Sequence, residues 1–362
     1  VFNKKISLDY ERSLHSVKTA IACLLGLLVT KIIPLPVDQW LIITIVVVMC
    51  AQVSIGGLLQ KSYMRFLGTV AGTLIAAITL LFFGAQLWVI VLVLGFSAMM
   101  FSYFATSPSV LSDAGTLGAA TVTIILIAHN PTLQMAMVRF IEITLGIVIA
   151  LLTSRFIFPL RAQNHLQREI VSNLERLQKF YGLILAGNYN SAPVQDLENA
   201  IINSFVGQRK LIKEAARENF SHLFDLNSFN HLVVCQRELL RSMDFIHYAM
   251  QLSKEGQQFL QEVIKIDKFN ESVEHDLANL AKRLASPADA SQIPPLALES
   301  HDLSWANTAM TTLLAQVKNL TPKDIQHLNL ILFCAKVLAD RLHELSHYLK
   351  RLRNGGLASA ST

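Results

Sequence analysis

At 362 residues, with 52% hydrophobic and only 16% charged residues, the chain is too apolar for an ordinary soluble protein of its size. Its net charge of +5 is modest and forms no stripe interleaved with aromatics, which argues against nucleic acid as a partner. The four cysteines lie far apart, in apolar runs (Cys23, Cys50) or on helical patterns (Cys235, Cys334), and read as packing residues rather than metal ligands.

The apolar excess is uneven. Phe66 to Ser112 and Ala114 to Val138 contain no Lys, Arg, Asp or Glu, whereas everything after Arg161 is dense in charge. The first part belongs in lipid and the second in water. Val1 to His15 is polar and shows no cleavable signal peptide, and Val1 in place of Met suggests a processed start. The apolar part predicts six spans: Thr19 to Ile33, Trp40 to about Leu59, Arg65 to about Phe83, Leu87 to about Ala105, Ala114 to Ala128, and about Val138 to Phe158. Pro34 and Pro36 end the first span, Gly84-Ala-Gln86 turns after the third, His129-Asn130-Pro131 ends the fifth, and Pro159 closes the sixth. Asp38 and Asp113 stand where N-terminal caps are expected.

In that model Lys4, Lys5, Arg12, Lys18, Lys61, Arg65, Arg155 and Arg161 fall on one side, against Lys31 and Arg139 on the other. The basic bias puts both termini in the cytoplasm. The resulting division is a cytoplasmic N-terminal segment (1–16), a six-span transmembrane domain (17–160), a cytoplasmic helical bundle (161–353) and a disordered tail (354–362).

From Gln163 onward the pattern is amphipathic helix. Leu166, Ile170, Leu174, Leu177, Tyr181 and Ile184 recur at spacings of three and four, and Leu328 to Leu352 carries a longer seam through Ile331, Ala335, Leu338, Leu342, Leu345 and Leu349. That seam serves equally inside one bundle or between two protomers. Further helices are expected over Val194 to Glu218, Ser228 to Ser253, Gly256 to Leu284 and Leu303 to Asn319, with breaks at Gly187 to Asn190 and Ser286 to Ser300. No β pattern is visible, so the fold class is all-α.

Sliding the chain on itself by 74 residues aligns Arg65-Phe66 with Arg139-Phe140, Gly72 with Gly146, Ile75 with Ile149, Ala76 with Ala150 and Thr79 with Thr153. Units of three spans each enter the membrane from opposite sides, so the halves are expected to be inverted repeats, a common transporter device. Arg65 would then head the third helix at the cytoplasmic mouth and Arg139 the sixth at the outer mouth, a cation at each end of an anion pathway. The one charged difference in the matched stretch is Gly68 against Glu142.

Trp40-Leu-Ile-Ile-Thr44 followed by Val46-Val-Val48, then Gly56-Gly57, Arg65-x-x-Gly68-Thr69-x-x-Gly72 and Arg139-x-x-Glu142-x-x-x-Gly146 with Arg155 and Pro159 resembles the fusaric acid resistance and aromatic acid exporter family. The plant aluminium-activated malate channels are similar in layout. The resemblance covers about Val17 to Arg161 and implies a bacterial inner-membrane exporter of small organic anions, aromatic or carboxylated. It also implies assembly as a homodimer, because many bacterial members join two membrane units in one chain.

Arg65, Arg139, Lys18 and Lys61 are the candidate anion contacts, Gly68, Gly72 and Gly146 the small-residue faces beside the path, and Glu142 the candidate proton acceptor. Each has a structural alternative: topology for Arg65, Lys61 and Lys18, and a mutual ion pair three residues apart for Arg139 and Glu142. His343 and His347 are four apart without a carboxylate grouping, so no metal is expected. No Walker or GxGxxG loop occurs, and neither an enzyme nor a cofactor is expected. The rival readings are an anion channel gated by the bundle and a membrane-anchored scaffold that recruits a partner.

Overall fold

The computed structural model describes residues 10–33, 39–108, 111–129, 131–186, 192–218, 225–252, 266–285 and 322–356. Every element among them is a helix: α1 (Tyr10–Ile32), α2 (Gln39–Ala51), α3 (Ile55–Phe83), α4 (Leu87–Ala105), α5 (Ser112–Leu126), α6 (Leu133–Phe156), α7 (Ala162–Leu185), α8 (Ala192–Glu218), α9 (Leu226–Leu252), α10 (Ile266–Ala285) and α11 (Pro322–Gly356). The expected caps and breaks at Pro34 to Asp38, Asn130, Gly187 to Asn190 and Ser286 to Ser300, the helix over Leu303 to Asn319 and most of the tail lie outside the described residues, as do Lys4 and Lys5. Of the tail, Asn354 to Gly356 continue α11. The chain divides into two compact units, residues 1–162 and 163–362.

In the first unit, α1, α3, α4 and α6 are long and apolar enough to cross a membrane, while α2 and α5 are shorter apolar helices of 13 and 15 residues. At 1.5 Å per residue these reach only about 20 and 22 Å, less than the ~30 Å hydrocarbon core. Six full spans were expected; among the described residues four helices have the length. For α2 the difference arises at Ser54. Its hydroxyl accepts from the Gly57 N–H at 3.1 Å with an extended backbone, capping a helix that begins at Ile55. Residues 55–59, which hydropathy assigns to the second span, therefore open α3. Arg65 follows Ile55 by ten residues and is interior to a 29-residue helix rather than at its head.

Glycines set how closely these helices pack. A Cβ on Gly68 would stand 2.5 Å from the Ala114 carbonyl oxygen, and one on Gly72 2.7 Å from that of Gly118, so α3 lies directly on the backbone of α5. Gly146 does the same for α6 on α2, where a Cβ would be 2.7 Å from the Leu41 oxygen. Small residues at such crossings let backbones approach in lipid, where no hydrophobic force drives helices together.

The second unit buries the Leu166 to Ile184 face of α7 together with α8, α9, α10 and α11 in one core. The Leu328 to Leu349 seam is buried within this chain, and α11 packs on α9. A buried amide network crosses the core: Asn173 donates to Gln236 at 2.9 Å, and Gln236 and Gln208 exchange bonds at 3.1 and 3.2 Å. It ties α7, α8 and α9 in one register. Nearby, burial and then the Glu198 carboxylate push Asp244 up to about 7 from its ordinary 3.8.

Two outcomes follow from these contacts. Gly68→Ala, facing backbone that cannot yield, should lower the melting temperature in detergent by an overpacking cost of about 1–3 kcal/mol, whereas Gly95→Ala, with nothing within 4 Å, should leave it unchanged or raised. The folded chain keeps the Asp244 proton where the unfolded carboxyl has lost it, so this group's contribution to stability is full near pH 4 and is lost as pH rises through about 7. Asp244→Asn should therefore flatten the fall in melting temperature between pH 5 and pH 8 that the native chain shows.

Candidate functional site

Four ionisable side chains are almost fully buried in the apolar unit: Lys18 (0% exposed), Glu142 (0%), Arg65 (6%) and Arg139 (7%). Charges at such depth are costly unless paired or turned towards a polar cavity. Arg139 Nη1 donates to Glu142 Oε2 at 3.2 Å, one turn along α6, and its guanidinium carbon lies 5.0 Å from the centroid of the Trp40 ring. Arg65 Nη2 donates to the Thr44 hydroxyl at 3.1 Å. Its Nε is buried without a hydrogen-bond partner, and no carboxylate pairs with it among the described residues.

Trp40 and Thr44 are four residues apart on α2, hence one turn, about 6 Å, along one face. The two arginines therefore converge on a single stretch of α2. This corrects the expectation that Arg65 and Arg139 stand at opposite mouths. The reason is the early start of α3, which carries Arg65 about 15 Å along its helix before the side chain meets α2. Thr44 also closes on α6, since a Cβ on Gly146 would lie 2.8 Å from the Thr44 Cβ. The hydroxyl that receives Arg65 is thus fixed by the α2–α6 crossing.

The remaining candidates make other contacts. Lys18 Nζ donates to the Phe158 carbonyl oxygen at 3.5 Å, and Phe158 itself has φ of 46°, left-handed for a residue with a side chain. His15 bonds the Met49 carbonyl at 3.0 Å, so α1 is clasped to the ends of both α2 and α6. Lys61 is ion-paired with Asp113 at 2.5 Å, joining α3 to α5. Asp113 sits within the first turn of α5, with Leu111 at the cap position. Gly68, Gly72 and Gly146 are covered by neighbouring helices and present no open face. Thr44 and His15 escaped the sequence reading. A hydroxyl one turn from Trp40 in an otherwise aliphatic run was the available signal for Thr44.

The cluster of Arg65, Arg139, Glu142, Thr44 and Trp40 carries two guanidinium groups against one carboxylate. The Arg65 guanidinium is the one of the two with no carboxylate paired to it among the described residues.

The model of a family described as fusaric acid resistance protein family matches residues 12–330. Among curated proteins the chain is similar to Inner membrane protein YeeA of Escherichia coli (strain K12), at 24% identity over 267 residues, covering 70% of this chain and 74% of the relative.

Removing one partner of the buried ion pair leaves the other charge uncompensated, which typically costs about 3–5 kcal/mol, whereas replacing both by apolar residues is far milder. Glu142→Leu should accordingly lower the melting temperature in detergent sharply, and adding Arg139→Leu should restore most of the loss.

Proposed function

Because the chain belongs to the fusaric acid resistance protein family, we propose that it is a multi-pass inner-membrane transporter that exports small organic anions, aromatic or otherwise carboxylated. The observation that carries this reading is Arg65, a guanidinium buried in an apolar unit without a carboxylate partner among the described residues. A cation that costly is retained where a mobile anion supplies the missing charge. The neighbouring indole suits an aromatic acid.

Glu142 gives the path a route to proton coupling. While ionised, it compensates Arg139. A proton on Glu142 cancels that compensation and leaves Arg139 as a second cation facing the bound anion. Proton and anion then favour each other's binding, and by linkage each raises the other's affinity equally. Lys18, buried at the end of α6, is a further cation on the route, whereas Lys61 serves the α3–α5 joint.

The inverted repeat belongs to the same reading. Phe66 and Phe140, matched at the offset of 74, meet at 6.0 Å between ring centroids. Gly72 packs on Gly118 and Thr121 as Gly146 packs on Leu41 and Thr44, and Ala76 and Ala150 occupy corresponding apolar clusters. The basic bias supports cytoplasmic termini. A homodimer would pair through the membrane unit, since the leucine seam is consumed within one chain. A channel is the second reading. It is favoured by the same lone guanidinium, which sets a permissive field without any titrating step.

Flux of labelled benzoate into proteoliposomes tests the proposal. Arg65→Ala should lower it about tenfold or more, the equivalent of a charge-assisted bond of about 1.5–3 kcal/mol. Glu142→Gln should keep a measurable flux but lose its acceleration by an imposed pH gradient. Undiminished flux in Arg65→Ala would sink the pathway, and large voltage-driven currents in planar bilayers would select the channel.

A further inference from the structure

Six of the nine arginines whose side chains are described in the bundle have a partner. Arg176 pairs with Glu169, Arg341 with Glu238 and Glu344, and Arg351 with Asp225, while Arg168, Arg217 and Arg283 make other polar contacts. Among the described side chains of the bundle, Arg209 on α8 and Arg237 and Arg241 on α9 are the exceptions, and all three are exposed. Lys213, exposed on α8, likewise has no carboxylate in reach among the described residues.

These four cations share one face. α8 and α9 run antiparallel, because Gln208 bonds Gln236 while Glu198, ten residues earlier, lies beside Asp244, eight residues later. From the glutamine pair, turning about either helix in the same sense at about 100° per residue, the Glu198 and Asp244 carboxylates come first. Arg209, Ile202, Lys213 and Val206 follow on α8, and Arg237, Tyr248 and Arg241 follow on α9. In an antiparallel pair these two sets rise on the same side. The apolar members stand well out: Val206 is 70% exposed, Tyr248 58% and Ile202 44%. The acids nearest this face among the described residues are Glu198 and Asp244, at the end away from Lys213.

Unpaired cations alternating with exposed aliphatic and aromatic side chains fit a surface that is both anionic and apolar beneath its charge. A second copy of the same face would set like charge against like. The first helix of the bundle begins at Ala162, six residues after the last apolar helix ends at Phe156, so bilayer phospholipid is held near it at high effective concentration. We infer that this α8–α9 face is a peripheral contact for anionic phospholipid headgroups, with Val206, Ile202 and Tyr248 entering the interfacial layer between the four cations. It goes beyond the anion pathway and does not depend on it.

The test places the photo-crosslinker p-benzoyl-phenylalanine at Val206 in the full-length chain, in native membranes and in nanodiscs with or without phosphatidylglycerol. The same label at lipid-facing Leu92 and at exposed Phe333 of α11 gives the upper and lower references. Lipid adducts at Val206 should exceed those at Phe333 about tenfold, depend on phosphatidylglycerol, and fall with salt. They should also collapse when Arg209, Lys213, Arg237 and Arg241 are all changed to Gln, with the melting temperature unchanged because all four are exposed. Adducts at Val206 equal to those at Phe333, adducts indifferent to phosphatidylglycerol, or adducts to a second protein chain would each overturn the inference.

Discussion

A guanidinium buried in a unit made for lipid is the constraint on which the rest of the architecture turns. On insertion scales a charged side chain at the centre of a spanning helix costs about 2.5–3.5 kcal/mol, and this chain buries Lys18, Arg65 and Arg139 with one carboxylate among them, Glu142. Such a charge is tolerated only when other groups hold it in place. For Arg65 that group is the Thr44 hydroxyl, and for Arg139 it is Glu142 together with the Trp40 ring. Thr44 and Trp40 both stand on α2, a helix too short to cross hydrocarbon unaided. Its position is fixed instead by Gly146, which brings the backbone of α6 against Leu41. Gly146, one turn beyond Glu142 on α6, therefore helps determine whether the charges find their partners.

Much of this was legible in the sequence. An all-helical chain, the order of the apolar helices, the inward face of α7 and the buried leucine positions of α11 follow from periodicity, which reports what must leave water. The glycine spacing at 68 and 72 announced a close helix approach. What periodicity does not carry is depth and partnership. The start of α3 depends on one serine hydroxyl between two apolar runs, and no hydropathy window registers a bond of 3.1 Å from Ser54 to Gly57. That single cap moves Arg65 from a helix end to a helix interior. Asp113 lies 52 residues from Lys61 and looks like an N-terminal cap until the fold brings the two together. A leucine seam states that a helix needs a partner and is silent on which.

The two halves of the apolar unit also show how one packing rule can yield a structural site and a chemical one. Gly68 and Glu142 are matched at the offset of 74, and Gly72 and Gly146 likewise. Gly72 meets Gly118 and Thr121, and Gly146 meets Leu41 and Thr44, so under the proposed repeat α5 corresponds to α2 at an offset of 77. The residue that forbids a side chain at position 68 is Ala114, whose oxygen would lie 2.5 Å from a Cβ. Position 142 on α6 instead carries a carboxylate, paired with Arg139, whose guanidinium lies over the Trp40 ring of α2. Under the proposed repeat, one position thus holds packed backbone in the first half and an ionisable pair in the second.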